Sequence, residues 1–157
     1  MIKTALDQLT PPPSSKLLGW QLLDARPADG WIRIGFDGKP EFCNPAGFVQ
    51  GGILTAMLDD TMGPAVFVMT DGRLYTATIT MTVNFLSPAM PGPITGEASV
   101  TQLGKTIAFV EGKLIAVRCW RRPLPACALS RRQRHYARAL SAREAVLPSL
   151  ENVPLRR

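Results

Sequence analysis

The fold is decided by residues 51–68, which read GGILTAMLDDTMGPAVFV. This stretch contains no lysine, arginine, glutamate or glutamine, and its apolar side chains would lie on nearly every side of a helix. Because a helix that is apolar almost all round is a buried one, we predict a central buried helix over residues 51–68. Asp59, Asp60, Gly63 and Pro64 interrupt the apolar run, which argues against a membrane span.

Two adjacent carboxylates lie within this predicted helix. Burying a carboxylate is costly unless it is paired, and the helix offers no basic residue as a partner. Successive residues of a helix are about 100° apart, so Asp59 and Asp60 should face different surroundings. Two interpretations stay open here: both carboxylates lie at an exposed end or bond to backbone amides, or one of them has a catalytic task.

The segment before the helix reads GFVQGG, residues 47–52. Two glycines at a helix start leave backbone N–H groups that a ligand can approach closely, at the positive end of the helix dipole. Such a position can stabilise an oxyanion, which makes Gly51 and Gly52 candidate substrate-binding residues. The alternative is that the glycine pair only makes a tight entry into the helix.

The clearest strand signal follows the helix. Residues 75–85 alternate strictly between apolar side chains and threonine or asparagine, which predicts a strand with one polar face. We further predict a short helix at residues 3–9, strands at 16–26, 31–36, 94–103 and 105–117, and a loop at 37–50. Two strands, a helix and three strands in that order indicate an antiparallel α+β domain with one long central helix.

The charge of the chain is unevenly distributed. The 157 residues carry a net charge of +6. Residues 118–157 hold ten arginines, two glutamates and no lysine or aspartate, a net charge of +8, so residues 1–117 carry −2. We therefore divide the chain into a domain at 1–117, with its core at 16–117, and a basic tail at 118–157.

The basic tail admits three interpretations. Its residues 130–147 can form a helix with Ser130 as the N-cap, and the arginines would make an anion-binding arm for nucleic acid, anionic lipid or coenzyme A phosphates. The second interpretation, which we favour, is a solvated extension. The third is a segment translated from a shifted reading frame, because arginine without a single lysine contrasts with the ordinary composition before residue 118.

Several functional classes are disfavoured by composition. Three cysteines without a C-x-x-C spacing fit neither a zinc ribbon nor a disulfide framework. This cysteine usage makes a reducing cytoplasm the expected location. The N-terminus lacks the basic-then-apolar order of a signal peptide. His135 is the one histidine and lies in the tail, which weakens every mechanism that uses a histidine base.

Three stretches carry a resemblance to a known family: Asn44–Gly52, then Asp59, then Asn84–Ala89. Together they resemble the hotdog-fold acyl-CoA thioesterases, in the phenylacetyl-CoA-thioesterase-like branch, over roughly residues 16–117. The resemblance implies a helix wrapped by an antiparallel sheet, working as a dimer or a dimer of dimers. It also implies an acyl-CoA substrate, of which coenzyme A is a part, with no metal or redox cofactor.

The resemblance also implies roles for particular residues. The backbone N–H of Gly51 would polarise the thioester carbonyl, and Asp59, not Asp60, would act as general base or nucleophile. Asn44 would support the carbonyl or the water, and Thr78 would help to hold the water. Lys105 falls where family members often place a basic residue near the coenzyme A phosphates. In the family, each site is built across a dimer.

Gln50 departs from the family pattern, which has a histidine at this position. An amide can donate a hydrogen bond but cannot carry a proton to a leaving group. A thiolate needs little such help because the pKa of a thiol is only about 8–9. We expect Gln50 to position the carbonyl; the alternative is a hotdog protein that binds acyl-CoA without turning it over.

Overall fold

The computed structural model describes residues 3–116 and the backbone of a strand at 140–148. These residues form two α-helices and six strands, namely α1 Pro13–Leu18, β1 Gln21–Arg26, β2 Trp31–Gly38, α2 Gly51–Met69, β3 Thr76–Asn84, β4 Gly92–Leu103, β5 Ala108–Ala116 and β6 Leu140–Pro148. All pairs of neighbouring strands are antiparallel, and the order across the sheet is β1-β2-β4-β5-β6-β3. The predicted α+β class, with one long helix against an antiparallel sheet, is confirmed.

Helix α2 lies against one face of this sheet and contacts β2 to β6. Met57, Leu58, Met62 and Val66 are fully buried on it, which explains why the helix carries so few polar residues. Among the described residues, α2 alone is long and apolar enough to cross a membrane. Its buried side chains pack instead into the core of the domain.

The beginning of the chain differs from the prediction. Residues 13–18 are helical, so the strand predicted from residue 16 begins only at Gln21. Pro13 suits the first position of a helix, and Gly19 closes it in the left-handed conformation with φ of 71°. The helix predicted at residues 3–9 is a 3-10 turn at Ala5–Gln8, and the predicted loop at 37–50 contains another at Pro40–Phe42.

A β-bulge in β3 breaks the strict alternation predicted for residues 75–85. Thr78 and Thr80 pair with the neighbouring residues Val146 and Ala145 of β6, so Ile79 is an extra residue in the strand. An extra residue reverses the faces on which later side chains lie. The polar threonine at position 78 therefore shares the helix-facing side with Met81, which packs on the core.

The C-terminal segment contributes a strand to the sheet. Strand β6 lies between β5 and β3, so the helix predicted over 130–147 is wrong for residues 140–147. Residues 117–139 and 149–157 lie outside the described residues, and with them the predicted N-cap at Ser130 and His135. The division of the chain at residue 117 stays a prediction, although the sheet takes one strand from beyond it.

Candidate active site

The loop before α2 is organised by Asn44. Its side-chain carbonyl oxygen accepts hydrogen bonds from the backbone N–H groups of Ala46 at 3.0 Å and Phe48 at 3.2 Å. Its backbone N–H donates to the Phe48 carbonyl at 2.8 Å, and Gly47 takes a positive φ of 81° to close the loop. Because the carbonyl oxygen of the Asn44 side chain is engaged in this turn, its amide NH2 is the end suited to meet a ligand.

Helix α2 begins with three of the predicted site residues in succession. Gln50 is the N-cap; its backbone carbonyl accepts from the N–H groups of Ile53 and Leu54, while its exposed side chain makes no capping hydrogen bond. The N–H groups of Gly51 and Gly52 belong to the first turn and have no acceptor within the helix. These donors point away from the helix at its positive end, as an oxyanion site requires.

The two glycines differ in their surroundings. A Cβ atom at residue 51 would lie 3.2 Å from the ring of Phe85, whereas a Cβ atom at residue 52 would have no neighbour within 4 Å. Phe85 follows β3 and thus covers one side of the first turn of α2. The Gly51 N–H therefore lies beside an aromatic wall, and Gly52 is open to a ligand.

Asp59 and Thr78 are brought together by α2 and the bulged part of β3. The Thr78 hydroxyl donates a hydrogen bond of 2.7 Å to the Asp59 carboxylate, and both side chains are exposed. Without the bulge, the threonine face of β3 would be directed away from the helix. Bulges of this kind recur beside active sites, where they redirect a side chain.

Asp60 has different partners from its neighbour, as predicted. The buried Ser15 hydroxyl donates to the Asp60 carboxylate at 2.8 Å. Burial raises the pKa of the Asp60 carboxyl, the negative charge of Asp59 adds to the rise, and the Ser15 hydrogen bond opposes it. Asp60 is thus fixed to α1, whereas Asp59 faces the open part of the site.

Pro64 explains an unusual contact of Trp20. Proline has no N–H, so the carbonyl four residues earlier, that of Asp60, loses its helical partner. The indole N–H of Trp20 donates to this carbonyl at 3.0 Å. An aromatic side chain from outside the helix thus replaces the missing backbone donor, and Ser15 and Trp20 together hold α2 at Asp60.

A cavity of about 200 Å³ opens beside the two carboxylates. The helix lines it with Asp59, Asp60, Gly63, Pro64 and Phe67, and the beginning of β3 adds Tyr75, Thr76 and Thr78. The N-terminal segment completes it with Leu6, Leu9, Pro11, Pro12, Ser15 and Trp20. Sequence reasoning missed this third wall, because nothing in the local pattern of residues 5–20 indicates that they pack against α2.

Lys105 lies far from the beginning of α2 within one chain. Lys105 belongs to the turn after β4, and the first residue of β4, Gly92, lies at the end of the sheet where α2 begins. Because β4 has 12 residues and a strand rises about 3.3 Å per residue, Lys105 lies roughly 35 Å from that end. Thr78, which bonds to Asp59, and Ala108, which follows the Lys105 turn, both pair with Val146 of β6. The Lys105 turn therefore lies at the same end of the sheet as Asp59.

Comparisons with known proteins agree with this arrangement. Residues 46–118 match the model of the Thioesterase superfamily. A curated protein of Saccharolobus solfataricus, described provisionally as an esterase, is 36% identical over 73 residues, which are 46% of this chain and 51% of that protein. The chain therefore spans about half the length of this curated relative.

Solved structures show the same fold. A thioesterase family protein from Silicibacter pomeroyi has a TM-score of 0.72 at 22% identity, covering 92% of this chain and 93% of that chain. A phenylacetic acid degradation-related protein from Ralstonia eutropha has 0.68 at 24% identity over 88% and 92%. The E. coli PaaI protein has 0.64 at 16% identity over 88% and 85%. The long helix and the antiparallel sheet of this chain therefore form the hotdog fold that these solved structures share, and residues 46–118 are similar to the Thioesterase superfamily.

Proposed function

We propose that the protein hydrolyses acyl-CoA thioesters, with Asp59 as the group that activates water. The observation that carries this proposal is the hydrogen bond between Thr78 and Asp59 at the edge of an apolar cavity. A carboxylate held by a hydroxyl group beside a space for an acyl chain has the composition of a hydrolytic site. The similarity of residues 46–118 to the Thioesterase superfamily supports the same reaction class.

The proposed reaction uses groups of the protein alone. Asp59 takes a proton from water as the water oxygen attacks the thioester carbon, and Thr78 orients the carboxylate or the water. The Gly51 N–H stabilises the negative charge on the carbonyl oxygen, with Gly52 beside it and Asn44 and Gln50 positioning the carbonyl. The carbon–sulfur bond then breaks, and the proton held by Asp59 passes to the departing thiolate, which leaves a free acid and coenzyme A. No metal or redox cofactor takes part.

The separation of Gly51 from Asp59 supports a site shared by two chains. The two residues are eight positions apart on α2, which is about 12 Å at 1.5 Å per residue. Reacting atoms must approach to about 3–3.5 Å, so one carbonyl carbon cannot use both groups of one helix. We propose a homodimer, alone or within a tetramer, in which α2 of one chain presents Gly51 to Asp59 of the other.

The outer edge of β3 supports the same assembly. In the sheet that the structure describes, β3 is the last strand, so one of its edges has no strand beside it. Apolar side chains on and beside this strand are exposed, including Tyr75, Ile79, Phe85 and Leu86. A second copy of the chain would cover these side chains and pair with the free edge.

Release of free thiol from a panel of aromatic, short-chain and long-chain acyl-CoAs tests the activity. Asp59→Asn should lower kcat by about a hundredfold or more, as expected for loss of a general base, without changing the melting temperature by much. Asp60→Asn is the matched control on the next position and should have a milder effect on the rate. Equal losses in the two variants, or no loss for Asp59→Asn, would contradict the assignment.

The glutamine at position 50 favours a second candidate function, in which the protein binds acyl-CoA without hydrolysing it. Its side chain lies beside the proposed oxyanion site but cannot transfer a proton. This candidate predicts that calorimetry detects binding of acyl-CoA while no thiol is released. Binding that persists after Arg131, Arg132 and Arg134 are replaced by glutamine, changes that leave β6 in place, would exclude the positive charge of this part of the tail as its cause.

A further inference from the structure

We propose that Leu6 and Leu9, from the N-terminal segment, set the upper size of the acyl group that the protein accepts. This inference rests on the proposed function, because it places the acyl chain in the cavity beside Asp59. Both leucines line that cavity as part of the N-terminal segment, together with Pro11 and Pro12. They are therefore specificity-determining residues rather than catalytic ones.

The volume of the cavity supports a compact acyl group. A cavity of about 150 Å³ lined by apolar side chains is large enough to bind benzene. The cavity here measures about 200 Å³, so it has room for one ring with a short linker or for a chain of about six to eight carbon atoms. A long-chain acyl group would have to displace one of the walls.

The N-terminal wall is fixed in place. Thr4 and Asp7 form a capping box around the 3-10 turn that carries Leu6, with the Thr4 N–H donating to the Asp7 carboxylate at 2.8 Å. Ala5 packs closely on the turn that follows α2, where a Cβ atom added at Gly72 would lie 3.2 Å from the Cβ atom of Ala5. The same segment is tied to the helix by Ser15, which bonds to Asp60.

The two leucines are the parts of this wall that can change its depth without breaking its attachments. Both are half-buried, and their hydrogen bonds within the segment are made by backbone atoms, which a change of side chain leaves in place. Truncating either to alanine removes three carbon atoms from the wall and extends the cavity toward the N-terminus. Gln8 lies on the same turn, is exposed and does not line the cavity, so Gln8→Ala is a matched control.

The test measures acyl-length preference in the full chain by two readouts. The first is kcat/KM for free-thiol release from a homologous series of acyl-CoAs, acetyl to dodecanoyl. The second is calorimetric affinity for the corresponding S-alkyl-CoA thioethers, which cannot be hydrolysed. We expect wild type to prefer compact groups, and Leu6→Ala and Leu9→Ala to raise the ratio of dodecanoyl to hexanoyl kcat/KM at least about tenfold, since a pocket discriminates about 10–200-fold per methylene. Leu9→Phe should lower that ratio, and Gln8→Ala should leave it unchanged.

The outcomes separate this inference from the proposed function. Thiol release with an unchanged length preference in folded leucine variants would overturn the inference and leave the hydrolase proposal standing. Thioether binding whose length preference shifts, without any thiol release, would support the inference and overturn the hydrolase proposal. A wild-type preference for dodecanoyl over hexanoyl groups would also overturn the inference. Neither release nor binding would overturn both.

Discussion

Two neighbouring aspartates on one helix illustrate how environment divides chemical roles at the scale of the residue. Asp59 is exposed and accepts the Thr78 hydroxyl, whereas Asp60 is half-buried and accepts Ser15. The rule that adjacent helical residues face different surroundings predicted this difference. Which carboxylate faces the open site depended on α1 and β3, and therefore on tertiary structure.

The raised pKa of Asp60 predicts a pH-dependent stability. Because the folded state binds the proton more tightly, the contribution of Asp60 is fully present below its ordinary pKa of 3.8 and is lost as pH rises through the folded pKa. Asp60→Asn keeps an oxygen for Ser15 but removes the charge. We expect its free energy of unfolding, relative to wild type, to increase from acid to neutral pH in urea titrations.

Glu97 provides a control, because its pKa is shifted in the opposite direction from the pKa of Asp60. Desolvation acts upward on the pKa of Glu97, but Lys113 at 3.0 Å and Arg33 at 2.7 Å outweigh it and hold the pKa below its usual value. Its contribution is present above 4.5 and is lost as pH falls through the folded pKa. Glu97→Gln should therefore lose most stability at neutral pH; the same trend in both variants would contradict these assignments.

The exposed side chain of Gln50 predicts a variant that keeps its fold and changes its rate. Gln50→His should keep or raise thiol release, and Gln50→Ala should lower it by less than about tenfold, because an orienting hydrogen bond contributes about 1 kcal/mol. Neither variant should shift the melting temperature, since the side chain makes no capping bond. If wild type is inactive and Gln50→His creates activity, the binding-protein interpretation replaces the hydrolase.

At the scale of the element, Pro64 and Trp20 form a matched pair. The proline deprives the Asp60 carbonyl of its helical donor, and the indole N–H supplies another. A buried carbonyl without a partner is costly, so the two residues should depend on each other. This dependence can be measured without any assay of activity.

We predict a favourable coupling between these two positions in a double-mutant cycle. Trp20→Phe should cost about 1–3 kcal/mol through the unpaired Asp60 carbonyl, in addition to the loss of ring volume. In a Pro64→Ala background the backbone regains an N–H for that carbonyl, so Trp20→Phe should cost about 1 kcal/mol less, the ring volume being lost equally in both. Urea denaturation measures the four proteins; equal costs in both backgrounds would show that the indole bond is not compensating for the proline.

The sequence predicted elements with strong periodicity and missed features that depend on partners. Helix α2 was predicted at 51–68 and runs from Gly51 to Met69, because its composition alone demands burial. Strand β3 was placed correctly, but its bulge at Ile79 was not, because a bulge is defined by the register of the partner strand. Strand β6 was interpreted as a helix because its arginine-rich context resembles no other strand of the sheet.

The residues of the candidate site also fall into those that the sequence predicted and those that depend on tertiary packing. The glycine pair and the two aspartates were found from residue types at a given spacing, whereas the choice of Asp59 over Asp60, and the role of Thr78, came from family resemblance. The cavity wall at Leu6 and Leu9 was not found, because it arises when a distant segment packs on α2. Pro64 leaves the Asp60 carbonyl without a helical donor, and nothing in the local sequence identifies Trp20 as the residue that replaces it.

At the scale of the whole molecule, the proposed shared site predicts complementation between inactive chains. Gly51→Pro removes the N–H proposed to bind the oxyanion. Proline suits the first position of a helix, and Gln50 before it already has an extended ψ of 140°. Mixing Gly51→Pro chains with Asp59→Asn chains gives hybrid dimers with one intact site, so about a quarter of wild-type thiol release should return.

Subunit exchange must be demonstrated for this mixing experiment, for example by mass spectrometry of isotope-labelled chains. Each parent alone should be inactive, because every site in it lacks either the oxyanion donor or the base. Hybrids no better than the parents, or a fully active monomer, would show that each chain contains its own complete site.

The position of β6 in the sheet governs the order in which the protein can fold. In the described residues β3 hydrogen-bonds to β6 alone among the strands, and Thr76 pairs with Pro148 far along the chain. Contacts so distant in sequence form late and slowly. During synthesis, α2 and strands β1, β2, β4 and β5 leave the ribosome before β6 does. Until β6 pairs with them, β3 and β5 each present an open edge to neighbouring chains. We therefore expect the chain to be most prone to aggregation before β6 has joined the sheet.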